Sequence, residues 1–271
     1  MQTNTLAEHP TIRKSKRSIV NLLAPLDELS KSSINLSDNR EVQFTHGAET
    51  YEIPQYTFIG SLGGDTPIHI GIFAGIHGDE SEGIHAVIRV IRLLESHPEL
   101  ARGYHLSFYP LLNPTGYEDN TRHSRQGKDL NREFWLQSEA PEVRLIEEIL
   151  ETRKFQGIIS LHTDDTSDGF YGYARGATLT AHLIKPALRA AAEFLPINEQ
   201  PIIDGFPASN GVIKDAFSGI LAAPRRRPRP FEIILESPAT PTTFLKELAL
   251  VAALQTILVE YRKFISYAKD I

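Results

Sequence analysis

The sequence predicts an α/β fold in which a mainly parallel sheet is covered by helices on both faces, and three observations carry that prediction. Short apolar runs at residues 68–74, 104–112, 155–161 and 231–235 read as buried strands. Helical spacing falls between them. Residues 80–97 are apolar at 84, 87, 88, 91 and 94, residues 141–154 open with proline at the first turn, and residues 178–194 are alanine-rich. A long amphipathic stretch, residues 240–267, closes the chain. Strands alternating with helices in this way stack a sheet between two helical layers.

The remaining segments are smaller. Residues 1–17 are expected to form a loosely ordered polar arm. Residues 18–271 are expected to form a single domain, because neither a repeat nor a linker interrupts them. Residues 18–30 read as a short amphipathic helix broken by Pro25. Residues 41–46 and 51–59 are strand-like around a turn at His46-Gly47, Gly63-Gly64-Asp65 is a turn, and residues 202–206 are a short strand.

Composition narrows the function. With 271 residues, 41% hydrophobic and 23% charged, the chain can bury one sizeable core. A net charge of −6 argues against nucleic acid, whose phosphates need a positive surface. There is no cysteine, so disulfides are excluded and any metal site must use His, Asp or Glu. The basic residues between Arg13 and Arg17 precede apolar residues that Pro25 and Asp27 interrupt, and no window approaches ~18 uninterrupted apolar residues. Neither a leader nor a membrane span is expected, and a cytoplasmic location is.

Ligands of such sheets bind at the carboxyl ends of the strands, so candidate residues are judged by whether they fall there. His77-Gly78-Asp79-Glu80 places His and Glu three apart, able to share a metal ion if the loop curls around it. The spacing alone is weak: ten histidines and 22 glutamates make a chance His-x-x-Glu expected about once, and His46-Gly47-Ala48-Glu49 repeats it. Context separates the copies. His46 lies between polar strands, whereas His77 follows a buried strand and precedes a helix. His162 ends the apolar run GIISLH at another strand tip and completes a His₂Glu set, typical of catalytic zinc. Glu236 follows FEIIL directly, and a carboxylate there suits a general base. The polar stretch 113–134 carries Arg122, Asn131 and Arg132, residue types that clamp a carboxylate or polarise a carbonyl.

The pieces HGDE (77–80), NPTG (113–116), TR (121–122), DLNREF (129–134), SLHT (160–163) and LESP (235–238), in this order, resemble the zinc carboxypeptidase family, most closely its bacterial branch that trims cell-wall peptides. The resemblance spans roughly residues 68–238. It implies a three-layer α/β/α sandwich with a mixed, mostly parallel sheet of about eight strands. It also implies one zinc ion on His77, Glu80 and His162, Arg122 polarising the scissile carbonyl, Asn131 and Arg132 holding a substrate carboxylate, and Glu236 as general base and acid. The substrate expected is a small peptide cleaved at a terminal amide by zinc-activated water. The related succinylglutamate desuccinylase and aspartoacylase group shares these motifs and implies the alternative, an N-acyl amino acid. One departure stands out. The family's lid tyrosine before the catalytic glutamate is missing, since no tyrosine occurs between Tyr173 and Tyr261, and the corresponding segment offers Lys214 and Asp215.

Several features have plainer readings. The run Arg225-Arg226-Arg227-Pro228-Arg229-Pro230 is a solvated loop or, more sharply, a rim that attracts acidic substrates. Asp164, Asp165 and Asp168 are expected to support the ligand His162. His85 is expected on a helix surface. Trp135, Phe170, Tyr171 and Tyr173 line a substrate wall or belong to the core.

Overall fold

Ser18 starts the first helix by accepting a hydrogen bond from the Asn21 N–H, and α1 (Ile19–Ser32) follows. The computed structural model describes residues 16–62, 66–214 and 218–269. The arm up to residue 15, the Gly63-Gly64-Asp65 turn and Asp215 lie outside the described residues. Pro25 does not break α1 as expected. Its ring faces solvent, while Leu22, Leu23 and Leu26 are buried and anchor the turns on both sides, so only one backbone donor is lost.

The chain then lays down β1 (Leu36–Asn39), a hairpin of β2 (Gln43–His46) and β3 (Glu49–Glu52), and β4 (Gln55–Ile59). The single strand expected over 51–59 is therefore two, separated at Pro54, which has no N–H for a ladder. The alternating part begins with β5 (Ile68–Phe73), α2 (Ser81–Ser96), β6 (Tyr104–Tyr109), α3 (Pro114–Asp119), α4 (Pro141–Thr152), β7 (Gly157–Asp164) and β8 (Tyr171–Ala174). Residues 177–191 wind as α5 (Ala177–Leu179), a π-helical turn (Thr180–Ile184) and α6 (Lys185–Ala191). The expected strand at 202–206 is a small hairpin, β9 (Ile202–Ile203) and β10 (Phe206–Ser209), followed by β11 (Val212–Lys214), β12 (Phe231–Pro238) and α7 (Thr243–Lys269). Among the described residues no helix is long and apolar enough to cross a membrane.

Ten strands form one sheet in the order β1-β4-β6-β5-β7-β12-β8-β11-β10-β9. The α/β/α sandwich with a mixed sheet is as expected, but the sheet has two strands more than the eight inferred and is not mostly parallel, because short antiparallel strands are added at both edges. Parallel pairing is concentrated in the middle, β6-β5-β7-β12, and recurs at β8–β11; the other five pairings are antiparallel. The middle strands are the apolar ones that read clearly. The marginal ones are short or polar and do not.

Side chains alternate between two cores. Ile70, Ile72, Ile159 and Leu161 pack toward α2, α6 and α7, whereas Phe73 and Ile158 pack toward α4 and the β2–β3 hairpin. One buried and one half-buried contact lock α2 to α7. Lys246 Nζ donates to Glu82 at 2.9 Å, and His85 Nδ1 meets Glu247 Oε1 at 3.0 Å. His85 lies half-exposed on the helix surface and from there also bridges to α7.

Candidate metal centre and active site

The loop after β5 is shaped by two glycines. Gly75 adopts φ +65°, and a Cβ on Gly78 would lie 2.0 Å from the Gly116 carbonyl carbon. The His77 loop therefore packs backbone against backbone on α3. There Asn113 caps the helix, its Oδ1 accepting from the Gly116 N–H at 2.9 Å. The Arg122 carbonyl accepts from both the Gly78 N–H and Asn113 Nδ2, each at 3.4 Å. HGDE, NPTG and TR are thus one physical unit: each is needed to place the other two.

His77, Glu80 and His162 are all buried and offer donor atoms within 4.8 Å of one another, the one such His/Asp/Glu group among the described residues. His77 Nδ1 lies 2.5 Å from Glu80 Oε1, and His162 Nδ1 lies 3.3 Å from Glu80 Oε2. Glu80 Oε2 also accepts from the Thr163 N–H at 3.1 Å. Burial alone would raise the Glu80 pKa, but hydrogen bonds from His162 and His77 overcome it and hold the carboxyl at about 2. Burial likewise lowers His162. In His77 the same penalty is outweighed by contacts with Asp129 and Glu80, so its pKa is raised.

The donor set fits zinc. Two imidazoles and a carboxylate converge within 4.8 Å of one another with no thiolate available, the donor types that zinc takes in such sites. His77 turns its other nitrogen outward, Nε2 to Asp129 Oδ1 at 3.2 Å, which leaves Nδ1 as the metal-facing atom. Asp129 is the hub that sequence reasoning missed. Its Oδ2 accepts from Arg122 Nε at 3.3 Å, and its Oδ1 accepts from the Asn131 N–H at 3.1 Å, which caps the short turn carrying Asn131 and Arg132. The signal was present as the first letter of DLNREF. The support expected from Asp164, Asp165 and Asp168 is not built that way: Asp164 accepts from Tyr171 and Thr166.

Register places the carboxylate of Glu236. On β12 it pairs with His162 of β7 on one side and with Tyr171 of β8 on the other. It makes no hydrogen bond or ion pair among the described residues. Burial pushes its pKa well above the usual carboxylate range, and the neighbouring charges of Glu80, Asp164 and Asp204 push it further, against a smaller opposing pull from Arg122.

All seven residues singled out from the sequence, His77, Glu80, Arg122, Asn131, Arg132, His162 and Glu236, line one cleft of about 390 Å³. Arg122 Nη1 donates to Glu80 Oε1 at 3.3 Å. Asn131 is buried, and its Oδ1 has no hydrogen-bond partner among the described residues. The cleft adds Tyr171, Tyr173, Asp204 and Phe206, of which the tyrosines were left between wall and core, and the last two were missed. None of Arg225, Arg226, Arg227 or Arg229 lines it, because that loop enters β12 at the end opposite Glu236. Trp135 donates Nε1–H to the Leu221 carbonyl and stands outside the cleft. Lys214 is not on the wall either.

Residues 68–198 match the model of the succinylglutamate desuccinylase/aspartoacylase catalytic domain. That segment is similar to the catalytic domain of this group, over a little under half of the chain. No curated protein matches it. Among solved structures, a protein of Shewanella baltica described as a metallopeptidase is similar at 22% identity and TM-score 0.75, over 89% of this chain and 91% of that one. A metallo-carboxypeptidase of Burkholderia cenocepacia is similar at 15% identity and TM-score 0.65, over 92% and 70%. One from Pseudomonas aeruginosa is similar at 16% identity and TM-score 0.59, over 87% and 67%. At these identities the likeness is one of fold, and it extends over most of this chain, beyond the segment matched by the domain model.

Proposed function

We propose that this chain is a zinc-dependent metallocarboxypeptidase, hydrolysing a terminal amide bond of a small, carboxylate-bearing peptide such as a fragment of cell-wall peptide. The observation that carries the reading is the buried His77–Glu80–His162 triad with an unpartnered carboxylate, Glu236, on the adjacent strand. Held by that triad, zinc would supply an acidified water and polarise the scissile carbonyl.

The side chains divide the remaining work. Glu236 takes a proton from the nucleophile and returns it to the leaving amine, and its raised proton affinity suits holding it between the two steps. Arg122, already anchored by Asp129 and Glu80, stabilises negative charge as it grows on the carbonyl oxygen. Asn131 and Arg132 receive the substrate carboxylate, Arg132 through paired hydrogen bonds. The Pseudomonas neighbour binds (2-guanidinoethylmercapto)succinic acid, and a small acid of that kind is consistent with such a pair.

The domain match favours a second reading with the same chemistry, in which the amide belongs to an N-acyl amino acid. A panel of C-terminal peptides, cell-wall tri- and tetrapeptides and N-acyl amino acids, offered to the zinc-loaded protein, separates the two. Cleavage confined to N-acetylaspartate or N-succinylglutamate would transfer the assignment to the second. Glu236→Gln is expected to keep its zinc and lose roughly 10²–10⁴-fold in kcat. A glutamine variant as active as the parent, or no turnover on any member of the panel, would overturn both.

A further inference from the structure

We infer that the cleft selects a substrate carrying a cationic group, an ammonium or guanidinium, which Asp204 holds against the rings of Tyr173 and Phe206 at the end remote from Arg132. The amide-hydrolase reading supplies only the position of the scissile bond; the binding claim stands on the cleft itself.

Sheet order sets the order of groups along the cleft. The loop after β6 brings Arg122, Asn131 and Arg132. His77 follows β5, His162 lies on β7 and Glu236 on β12, the next strands in the sheet. Beyond them come Tyr171 and Tyr173 on β8 and then the β9–β10 hairpin, with Asp204 at its turn and Phe206 on β10. The cleft is therefore dipolar, with guanidinium groups at one end and Asp164, Asp165 and Asp204 at the other. Asp164, Thr166 and Asp204 also line a second cavity of about 420 Å³, to which Asp168 and Glu199 add charge and no basic side chain contributes. The acidic end thus opens onto further space for a ligand.

Its carboxylates are not equally committed. Asp164 is satisfied locally, one oxygen accepting from Tyr171 at 2.8 Å and the other from the Thr166 N–H and hydroxyl. Asp204 accepts from the Tyr173 hydroxyl at 2.8 Å and has no ion pair among the described residues, although a carboxylate can take about four donors. Around it the rings form a wall: Tyr171 and Tyr173 centroids lie 5.7 Å apart, and those of Tyr173 and Phe206 lie 6.5 Å apart with planes at 76°. Aromatic faces beside an unpaired carboxylate suit a cation. A neutral chain would use the rings and leave Asp204 without a counter-ion, and an anionic one would meet three like charges. At the other end, Asn131 Oδ1 is buried with no hydrogen-bond partner among the described residues and is available to a ligand's donor.

Calorimetric titration of the zinc-loaded protein with lysine, norleucine and glutamate tests this, since all three present the same carboxylate and amino group. Lysine is expected to bind about tenfold more tightly than norleucine, with glutamate weakest. Asp204→Asn should bring the lysine-to-norleucine ratio close to one. Asparagine tolerates the left-handed backbone found here (φ 50°), so the hairpin is preserved. Tyr173→Phe, which keeps the ring, should retain the preference and guards against a folding artefact. Equal binding of lysine and norleucine, no binding of either, or equal weakening of both in the Asp204 variant would overturn the inference. The dipeptides lysyl-alanine and norleucyl-alanine, each ending in the free carboxylate that Arg132 would hold, complete the test. Cleavage without preference sinks this inference and leaves the hydrolase standing. A lysine preference in binding with no amide cleaved sinks the hydrolase and leaves this inference.

Discussion

Glu49 and Glu80 each follow a histidine by three residues, and their carboxylates meet opposite fates. Glu49 is the register partner of His46 across the β2–β3 hairpin and reaches outward, to Lys16 at 3.2 Å and Arg125 at 3.2 Å. Glu80 turns inward between two imidazoles, with the Thr163 N–H and Arg122 completing its partners. Among the described residues no third ligand joins His46 and Glu49, and Glu49 is exposed, so its charge stays solvated and weakly coupled. The loop after β5 has both a third ligand and cover, because α3 closes over Gly78 and β7 delivers His162 from the next strand. Three residues of spacing decide nothing. What makes a metal site is the neighbouring strand and the removal of water.

The most direct way to break this comparison is to remove each histidine. His77→Ala is expected to take bound zinc from about one equivalent to near none, whereas His46→Ala should leave it at about one. Metal analysis of the purified variants measures this, and equal zinc in the two would erase the distinction. A smaller effect is expected one contact further out. Asp129→Asn should weaken zinc by roughly 10–100-fold in a chelator competition, because it disturbs the hydrogen bond that orients His77. Its counterpart Glu49→Gln, which alters a half-buried network of Lys16, Tyr51 and Arg125 that does not line the cleft, should leave zinc affinity unchanged.

The same contrast explains what could be read from the chain. His77, His162 and Glu236 were legible because each sits where an apolar run ends, and in this sheet those ends converge. The middle strands were legible for the same reason. Asp129 was not: its importance comes from a contact with His77, 52 residues earlier, and its own segment is a polar turn without periodicity. Asp204 and Phe206 were hidden because β9 and β10 are two and four residues long, paired locally with each other and with β11, and tied to the cleft only because β11 pairs with the distant β8. β8 (YGYA) is buried at every position, so it shows no alternation and is too short to stand out by length. Local pattern thus revealed the strand ends, and only long-range pairing revealed what fills the space between them.

The smallest effect concerns the buried carboxylate beside the other histidine. Glu142, in the first turn of α4, is 2% exposed, and its Oε2 has no partner among the described residues. Burial raises its pKa, and its own backbone N–H and the His46 ring offset this only in part, whereas at Glu80 two imidazoles reversed the burial penalty. The sign follows from proton binding. The folded state holds the Glu142 proton more tightly than the unfolded chain, so stability is lost as pH rises from the ordinary glutamate value through the raised one, and the loss persists above it. Glu142→Gln removes the charge and keeps the shape. It should match the parent near pH 4 and exceed it by about 1 kcal/mol at pH 8, read from urea unfolding at the two pH values. A variant less stable than the parent at pH 8 would mean that the α4 N-terminus and His46 together satisfy Glu142 as fully as two imidazoles satisfy Glu80, and the contrast between the two histidine sites would then rest on the metal ligands alone.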